Sequence, residues 1–372
     1  MSAWLLTPLG PIVARDGRPF GADSGNRMKP TPWLYPSVAA GSLRTMAGKR
    51  AANGFDENTV RRLKNIAVAG PLPCFDHQLY FPTPKDIVLG RDWSWLALRP
   101  SEPVEGEGTD LPSGLLPVTP PESVSDFKPP EAPPWWSLKQ MTRWLFDEPP
   151  APPGTDSSEW PERGFMASPG IDLRTHVALK DDSGAADDGL LFQTSGFLLG
   201  KDVQLAVRMS REDDVTGIHP FGGERRLAAW ERGQNNAWGC PPEIANALAN
   251  EEFFRMILAT PAIFSDGWKP GWLGTDLRGR IPGTETDVRL VGACVERWKP
   301  ISGWSLDAAN WGEKPVRRLA PAGSVYFFKR EGAGVLNAAD VWLQPVSDDI
   351  QSCLDGFGLA LWGRWKPRGE KE

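Results

Sequence analysis

The sequence predicts an α+β fold whose first half follows the order of a ferredoxin-like unit. Three observations predict it. The apolar run Trp4 to Ala14 reads as a strand. Val38 to Asn53 then carries Leu43, Met46 and Ala47 at helical spacing, with Arg44 off that stripe. Ile66–Ala69 and Gln78–Phe81 follow as strands. Strand, helix and paired strands in that order open the RRM-type topology, whose sheet face can serve RNA as a platform. A chain of 372 residues exceeds one ordinary domain and suggests two, here expected at 1–180 and 181–372.

Between the first strand and the helix lies Arg15-Asp16-Gly17-Arg18-Pro19-Phe20-Gly21, with two arginines, an aromatic ring and two glycines in close succession. Glycine lets backbone amides approach a ligand, arginine offers forked donors to phosphate, and Phe20 offers a stacking face. A surface turn with solvated arginines accounts for the same residues. Ser37 is expected to cap the helix, whose N-terminus would then favour an anion. A second helix is expected over Glu57–Asn65, and Pro71, Pro73 and Asp76 predict a turn before Gln78.

From Pro100 to Pro161 the chain holds fifteen prolines in 62 residues. Only Trp135–Phe146 reads as helix there, anchored by Trp136, Met141, Trp144 and Leu145. The flanks of this insertion, at about 100–162, read as extended and partly disordered, with a partner-binding arm as the alternative. Gly170–Lys180 is polar and carries His176, and the acidic run around Gly184 reads as a solvated hairpin tip. Beyond it, strands are expected at Leu190–Thr194, Val203–Met209, Arg226–Trp230, Val288–Trp298 and Val316–Lys329. Phe253–Leu258 reads as strand or helix, and Glu243–Ala249 and the start of Ala338–Leu343 as helix. This order suggests a second ferredoxin-like unit with insertions.

The net charge of −6 is unevenly distributed. Residues 1–50 hold seven Lys/Arg against two Asp/Glu, whereas residues 101–190 hold six against seventeen. A local basic face is compatible with this, but a general polyanion binder is not. No apolar run approaches the roughly 20 residues needed to span a bilayer. Four scattered cysteines without a Cys-x-x-Cys pair argue against a zinc ribbon or a disulfide scaffold and fit a reducing cytoplasm.

A second candidate contact is Gly222-Gly223-Glu224-Arg225-Arg226. Paired glycines open the backbone, and adjacent arginines in a strand would point to opposite faces, one outward and one toward Glu224 or Asp213. A β-bulge with surface charges is the competing reading. Catalytic constellations are thin: there is no Walker loop, no Gly-x-Ser-x-Gly and no His-x-x-x-His pair. His176 is the best placed general base for a metal-independent ribonuclease, although a lone histidine is more often structural or stacks on RNA.

The opening block and Pro36-Ser37-Val38-Ala39-Ala40-Gly41-Ser42-Leu43-Arg44-Thr45 resemble subunit three of the Cmr complex, a RAMP protein of type III-B CRISPR effectors. Gly170-Ile171-Asp172, Thr175-His176, Gly189 to Thr194, Gly222 to Arg226, Ile301-Ser302-Gly303-Trp304, Pro321 to Phe328 and the tail from Gly356 to Trp365 resemble later blocks of that family, in order. The resemblance implies two ferredoxin-like domains and a β-hairpin reaching over the guide RNA. It also implies a glycine-rich loop at Gly356-Phe357-Gly358 that grips RNA backbone. It implies a non-catalytic, cofactor-free cytoplasmic subunit that caps the crRNA 5′ handle and meets target RNA only indirectly. Its implied partners are the large polymerase-like Cas subunit and a backbone RAMP subunit. On that footing Arg15, Arg18, Arg44, Arg225 and Arg226 are expected at phosphates, and Phe20 and His176 at bases. Gly21, Gly222, Gly223, Gly356 and Gly358 are expected where the strand passes. A crRNA-processing endoribonuclease and a pure protein scaffold are the alternatives.

Overall fold

The computed structural model describes residues 1–14, 26–28, 31, 33–50, 55–103, 106, 108–121, 127–305 and 312–368. Arg15, Arg18, Phe20 and Gly21 lie outside the described residues. In chain order the principal elements are β1 (Ser2–Pro8), α1 (Pro36–Lys49), α2 (Glu57–Lys64), β2 (Val68–Phe75), β3 (Gln78–Pro82), β4 (Trp135–Ser137), α3 (Leu138–Leu145), β5 (Gly170–Leu179) and β6 (Ala186–Leu198). They continue with β7 (Gln204–Met209), β8 (Gly217–Pro220), β9 (Leu227–Arg232), β10 (Phe253–Leu258), β11 (Asp287–Cys294), β12 (Val325–Glu331), α4 (Ile350–Asp355) and β13 (Leu359–Arg364). The result is a mixed α/β protein rich in antiparallel strands.

The chain divides into two units, each drawn from three segments. Unit 1 comprises Met1–Asp76, Pro169–Gly233 and Pro300–Arg318; unit 2 comprises His77–Ser168, Gln234–Lys299 and Leu319–Glu372. In unit 1 the strand order runs β2-β7-β1-β9-β8. β7 is antiparallel to both β1 and β2, so β1 and β2 are parallel with β7 between them, joined through α1 and α2. β9 is antiparallel to β1 on its other side. Unit 2 repeats this order with β11-β12-β10-β13, again antiparallel at each junction. With β8 left out, the four strands so ordered in each unit lie side by side as second, third, first and fourth in sequence. They differ in where the helices fall: between the first and second strands in unit 1, and between the third and fourth in unit 2.

Hydrophobic patterning accounts for the unit 1 core. Leu43 and Met46 turn one stripe of α1 onto Trp4 and Leu6 of β1, Leu205 and Val207 of β7, and Trp230 of β9. Three local expectations are corrected. Ser37 does not cap α1: the N-cap is Tyr35, without a side-chain cap bond, because Pro36 takes the first helical position, where its fixed φ and missing N–H fit. Pro71 and Pro73 do not form a turn but lie inside β2. Val207 faces two residues there, so the strand bulges at Gly70-Pro71, where an absent N–H is tolerated. Asp76 and His77, both at positive φ, make the turn instead.

The third correction concerns the proline-rich stretch, whose described residues are not a loose linker. They are packed into unit 2. Trp136 and Phe165 meet Trp95 in edge-on and tilted contacts. Carbonyls of the prolyl segments accept bonds from the body of the unit: Pro134 from the Thr83 amide, and Ala151 from the Trp95 indole. Leu116 donates to Val291 of β11. Segments without N–H donors are thus held through their carbonyls and aromatic side chains.

At the centre of unit 2, the side chain of Arg255 on β10 is fully buried. Its guanidinium lies 3.0 Å from Asp86 and 3.1 Å from Asp147, donates to the Trp144 carbonyl and stands 4.1 Å from the Trp144 ring centre. Arg99 pairs with Asp147, and the Trp144 indole donates to Asp86 at 2.9 Å. Burial first, and then the neighbouring Arg255, depress the Arg99 guanidinium to about 10. The network joins α3, β10 and two loops.

Candidate nucleic-acid interface

In unit 1 a cleft of about 630 Å³ opens where three stretches meet. Its first wall is Val13 and Ala14, the last described residues before Arg15. The second is one face of α1, with Tyr35 at the cap followed by Val38, Gly41, Ser42 and Thr45 at helical spacing. The third is the β8–β9 turn, with Pro220, Gly222, Gly223 and Glu224; Met28 and Thr31 complete the lining.

Backbone bonds fix this arrangement. The Gly223 amide donates to the Val13 carbonyl at 2.7 Å, and the Thr31 amide to the Ala14 carbonyl at 3.4 Å. Ser42 of α1 donates its hydroxyl to the Pro220 carbonyl at 2.7 Å. A β-carbon on Gly222, at φ +80°, would stand 2.9 Å from the Val13 oxygen, so only glycine fits there.

Glu224 and Arg225 hold φ values of 54° and 53°, with Arg226 N bonded back to the Gly223 carbonyl at 3.2 Å. Two left-handed central residues match a type I′ hairpin turn, a conformation that non-glycine residues adopt at a cost of about 1 kcal/mol or more each. The two arginines therefore sit in the turn, ahead of β9. Arg226 reaches back to Glu224 at 3.4 Å. Arg225 is exposed and has no hydrogen-bond or ion-pair partner among the described residues. Of the alternatives open in the sequence, Arg226 takes the internal role and Arg225 the outward one; Asp213 is paired with Arg211 instead.

The other candidates are distributed as follows. Ser37 occupies the second helical position of α1 and is half-buried. Arg44 donates to the Ile66 carbonyl at 2.8 Å, tying α1 to the approach of β2. His176 lies on β5 of the long hairpin. Its ring stacks on Phe192 across the strands with centres 5.2 Å apart, and Nε2 lies 2.8 Å from the Thr194 hydroxyl. Asp181 and Asp182 sit at the tip of that hairpin, as the sequence suggested, whereas Asp187 and Asp188 belong to β6. Gly356 and Gly358 belong to unit 2. Gly356 ends α4 in a left-handed C-cap, and a β-carbon on Gly358 would meet Ser347 Oγ at 2.7 Å. Gly356 serves helix termination and Gly358 close packing.

Sequence reasoning passed over Gly41, Thr31 and Glu224 as lining residues. The available signal was Gly41 itself, a glycine inside a helix, which costs about 1 kcal/mol relative to alanine. Among the described residues a β-carbon there would meet nothing within 4 Å, so packing against them does not demand it. Among the described residues, no cluster of three or more metal-ligating side chains occurs, and no helix is long and apolar enough to cross a membrane.

The sequence matches the family described as CRISPR-associated protein (Cas_Cmr3) over residues 4–365. The chain belongs to that family. Membership makes it a subunit of a type III CRISPR effector. No curated protein sequence matches it. Among solved structures, it is similar to a chain of a type III-B Cmr-beta complex bound to cognate target RNA. That match has 13% identity and a TM-score of 0.50, and covers 87% of this chain and 86% of the other. A chain of the same kind of complex, bound to target RNA and AMPPnP, matches at 14% identity with a TM-score of 0.48 over the same shares. A chain of the Csm3–Csm4 subcomplex of a type III-A complex matches at 11% identity with a TM-score of 0.42, covering 99% of this chain and 100% of the other.

Proposed function

We propose that this protein is the non-catalytic, cytoplasmic RNA-binding subunit that caps the crRNA 5′ handle in a type III-B effector. It docks to the large polymerase-like Cas subunit on one side and to a backbone RAMP subunit on the other. The observation that carries the reading is the junction of the Gly222–Arg226 turn with Val13-Ala14. It brings an outward Arg225 next to the segment that continues into Arg15 and Arg18. Glycine-opened backbone and an exposed guanidinium at Arg225 suit a single strand held through its phosphates.

Each unit is read as one ferredoxin-like domain. The shared strand order supports this, with the second helix replaced by β8 in unit 1 and the first helix absent from unit 2. The β5–β6 hairpin, with exposed Ile171, Leu173, Val177 and Leu179 along one face, is the element expected to reach over the guide. The handle bases are read splayed, since an A-form duplex hides its major groove. Fixing one end of the guide sets the register for the subunits downstream.

Ultraviolet crosslinking and mass spectrometry of the assembled complex test this. Handle crosslinks are expected in peptides spanning residues 13–28 and 220–227. Handle crosslinks confined to other subunits would overturn the reading. Cleavage of repeat RNA by the purified protein in EDTA, lost in His176→Ala, would favour the endoribonuclease alternative.

A further inference from the structure

The sheet of unit 1 has a second face, and strand register determines what it carries. Trp4 and Leu6 of β1 and Trp230 of β9 pack on the α1 side, so the residues that alternate with them point the other way. On that side Leu9 continues β1. Its amide donates to the Leu227 carbonyl at 2.9 Å, which extends the β1–β9 register and makes the two leucines cross-strand neighbours. Ile218 of β8 stands opposite Ala229, two residues further along β9 on the same face. Leu9 is 55% exposed, Leu227 45% and Ile218 60%. Beside Leu9 a hollow of about 560 Å³ opens between the end of β1 and the β6–β7 turn, with Pro8, Leu198, Leu199 and Val203 in its lining. Leu198 is 44% exposed. Single exposed aliphatic side chains occur on any surface, but four grouped around a hollow mark an interaction site.

Charge decides what covers this patch. An RRM-type sheet face stacks bases on aromatic rings. Here the exposed positions run from Gln204 through Thr7 and Leu9 to Leu227 and Ile218, and none of these is aromatic or cationic. Among the described residues lining the hollow, the charge is that of Asp202. Gln204 donates to the Thr7 hydroxyl at 2.9 Å and to Glu231 at 2.7 Å, which holds a second carboxylate on the same face. Two carboxylates repel a phosphate backbone and attract a lysine or arginine. We propose that this face docks a protein neighbour in the effector. An aliphatic or aromatic side chain of that neighbour enters the hollow beside Leu9 and Leu198, and one of its Lys or Arg residues meets Glu231 or Asp202. An apolar centre within a charged rim is the anatomy of a protein interface. The inference rests on membership of a multi-subunit effector and not on the RNA-binding reading, whose cleft is lined by α1 on the other side of the sheet.

The test measures the affinity of the full-length protein for each of the other purified subunits of its effector. Leu9→Ala/Leu227→Ala is expected to weaken binding to one of them roughly tenfold or more. Glu231→Lys is expected to weaken the same contact and to abolish the slowing of association that added salt causes with wild type. The affinity of the isolated protein for handle RNA is expected to stay unchanged in both variants. Thermal melting checks the fold, and Leu9→Ala alone replaces the double variant should that melt early. Undiminished binding to every subunit by a variant that melts like wild type would overturn the proposal. Loss of RNA affinity in the same variants would overturn it by making the face an RNA platform. A concentration-dependent dimer of the isolated protein, lost in the double variant while its subunit affinities persist, would assign the face to a second copy instead. Absence of RNA binding by wild type would remove the RNA-binding reading and leave this inference standing on the subunit affinities.

Discussion

The Gly223 amide and the Val13 carbonyl, 2.7 Å apart, join the β8–β9 turn to the segment that runs on into Arg15. That one bond gives two distant stretches of sequence a common surface. Next to it, Gly222 has no room for a side chain. Gly222→Val is expected to destabilise the protein by about 1–3 kcal/mol through left-handed strain and a clash with the Val13 oxygen, and to weaken RNA binding as the turn lifts. Chemical denaturation with parallel binding measurements checks this. An unfolding midpoint equal to wild type would show that the turn is not held as described.

The two arginines of the turn separate cleanly. Arg225→Ala is expected to leave the melting temperature unchanged, since the side chain is exposed and has no partner among the described residues, while lowering RNA affinity. Losing one phosphate contact should also flatten the log–log salt dependence by roughly 0.7. Arg226→Ala breaks a half-exposed pair with Glu224 and should cost about 1 kcal/mol at most. Equal effects of the two substitutions on the salt slope would count against the assignment.

Arg255 gives a prediction independent of RNA. With Asp86 3.0 Å from a fully buried guanidinium and Arg99 no nearer than 3.9 Å, Arg255→Met leaves a buried carboxylate without its closest counter-ion. A loss of about 3–5 kcal/mol is expected by urea unfolding. Adding Asp86→Asn should recover part of it, because a neutral amide needs no counter-ion. A single substitution with no effect would mean that the network contributes nothing to stability.

Asp56 links one helix to pH. It caps α2 by accepting from the Thr59 amide at 2.7 Å, and its bonds with Thr59 hold its carboxyl below the ordinary 3.8. A depressed folded-state value means that the stabilisation is present above pH 3.8 and is lost as the pH falls through the lower folded value. Asp56→Ala should therefore lower the melting temperature at neutral pH and converge on wild type in acid. A constant gap across that range would show that the charge is not involved.

Local signals in the sequence were strong wherever one element could form by itself. The helix expected over Glu57–Asn65 is α2, Met141, Trp144 and Leu145 anchor α3 as expected, and the ordered family blocks pointed to the family later matched over residues 4–365. The boundaries that shifted did so because a neighbour decided them. Pro36 advanced the start of α1, and a bulge opposite Val207 accommodates Pro71 within β2. The cleft was half legible. Its glycine turn stood out by composition, but its helix face could be seen only once α1 was set against Val13 and Pro220. Thr31 carries no sequence signal at all, since its place on the cleft wall is a property of its surroundings.

The most direct test of the central claim is the salt dependence of handle-RNA binding for Arg18→Ala/Arg225→Ala against wild type. Loss of two phosphate contacts on a single strand predicts a weaker affinity at low salt and a log–log slope smaller by roughly 1.4. An affinity and slope indistinguishable from wild type would contradict the claim that this face of unit 1 holds the RNA.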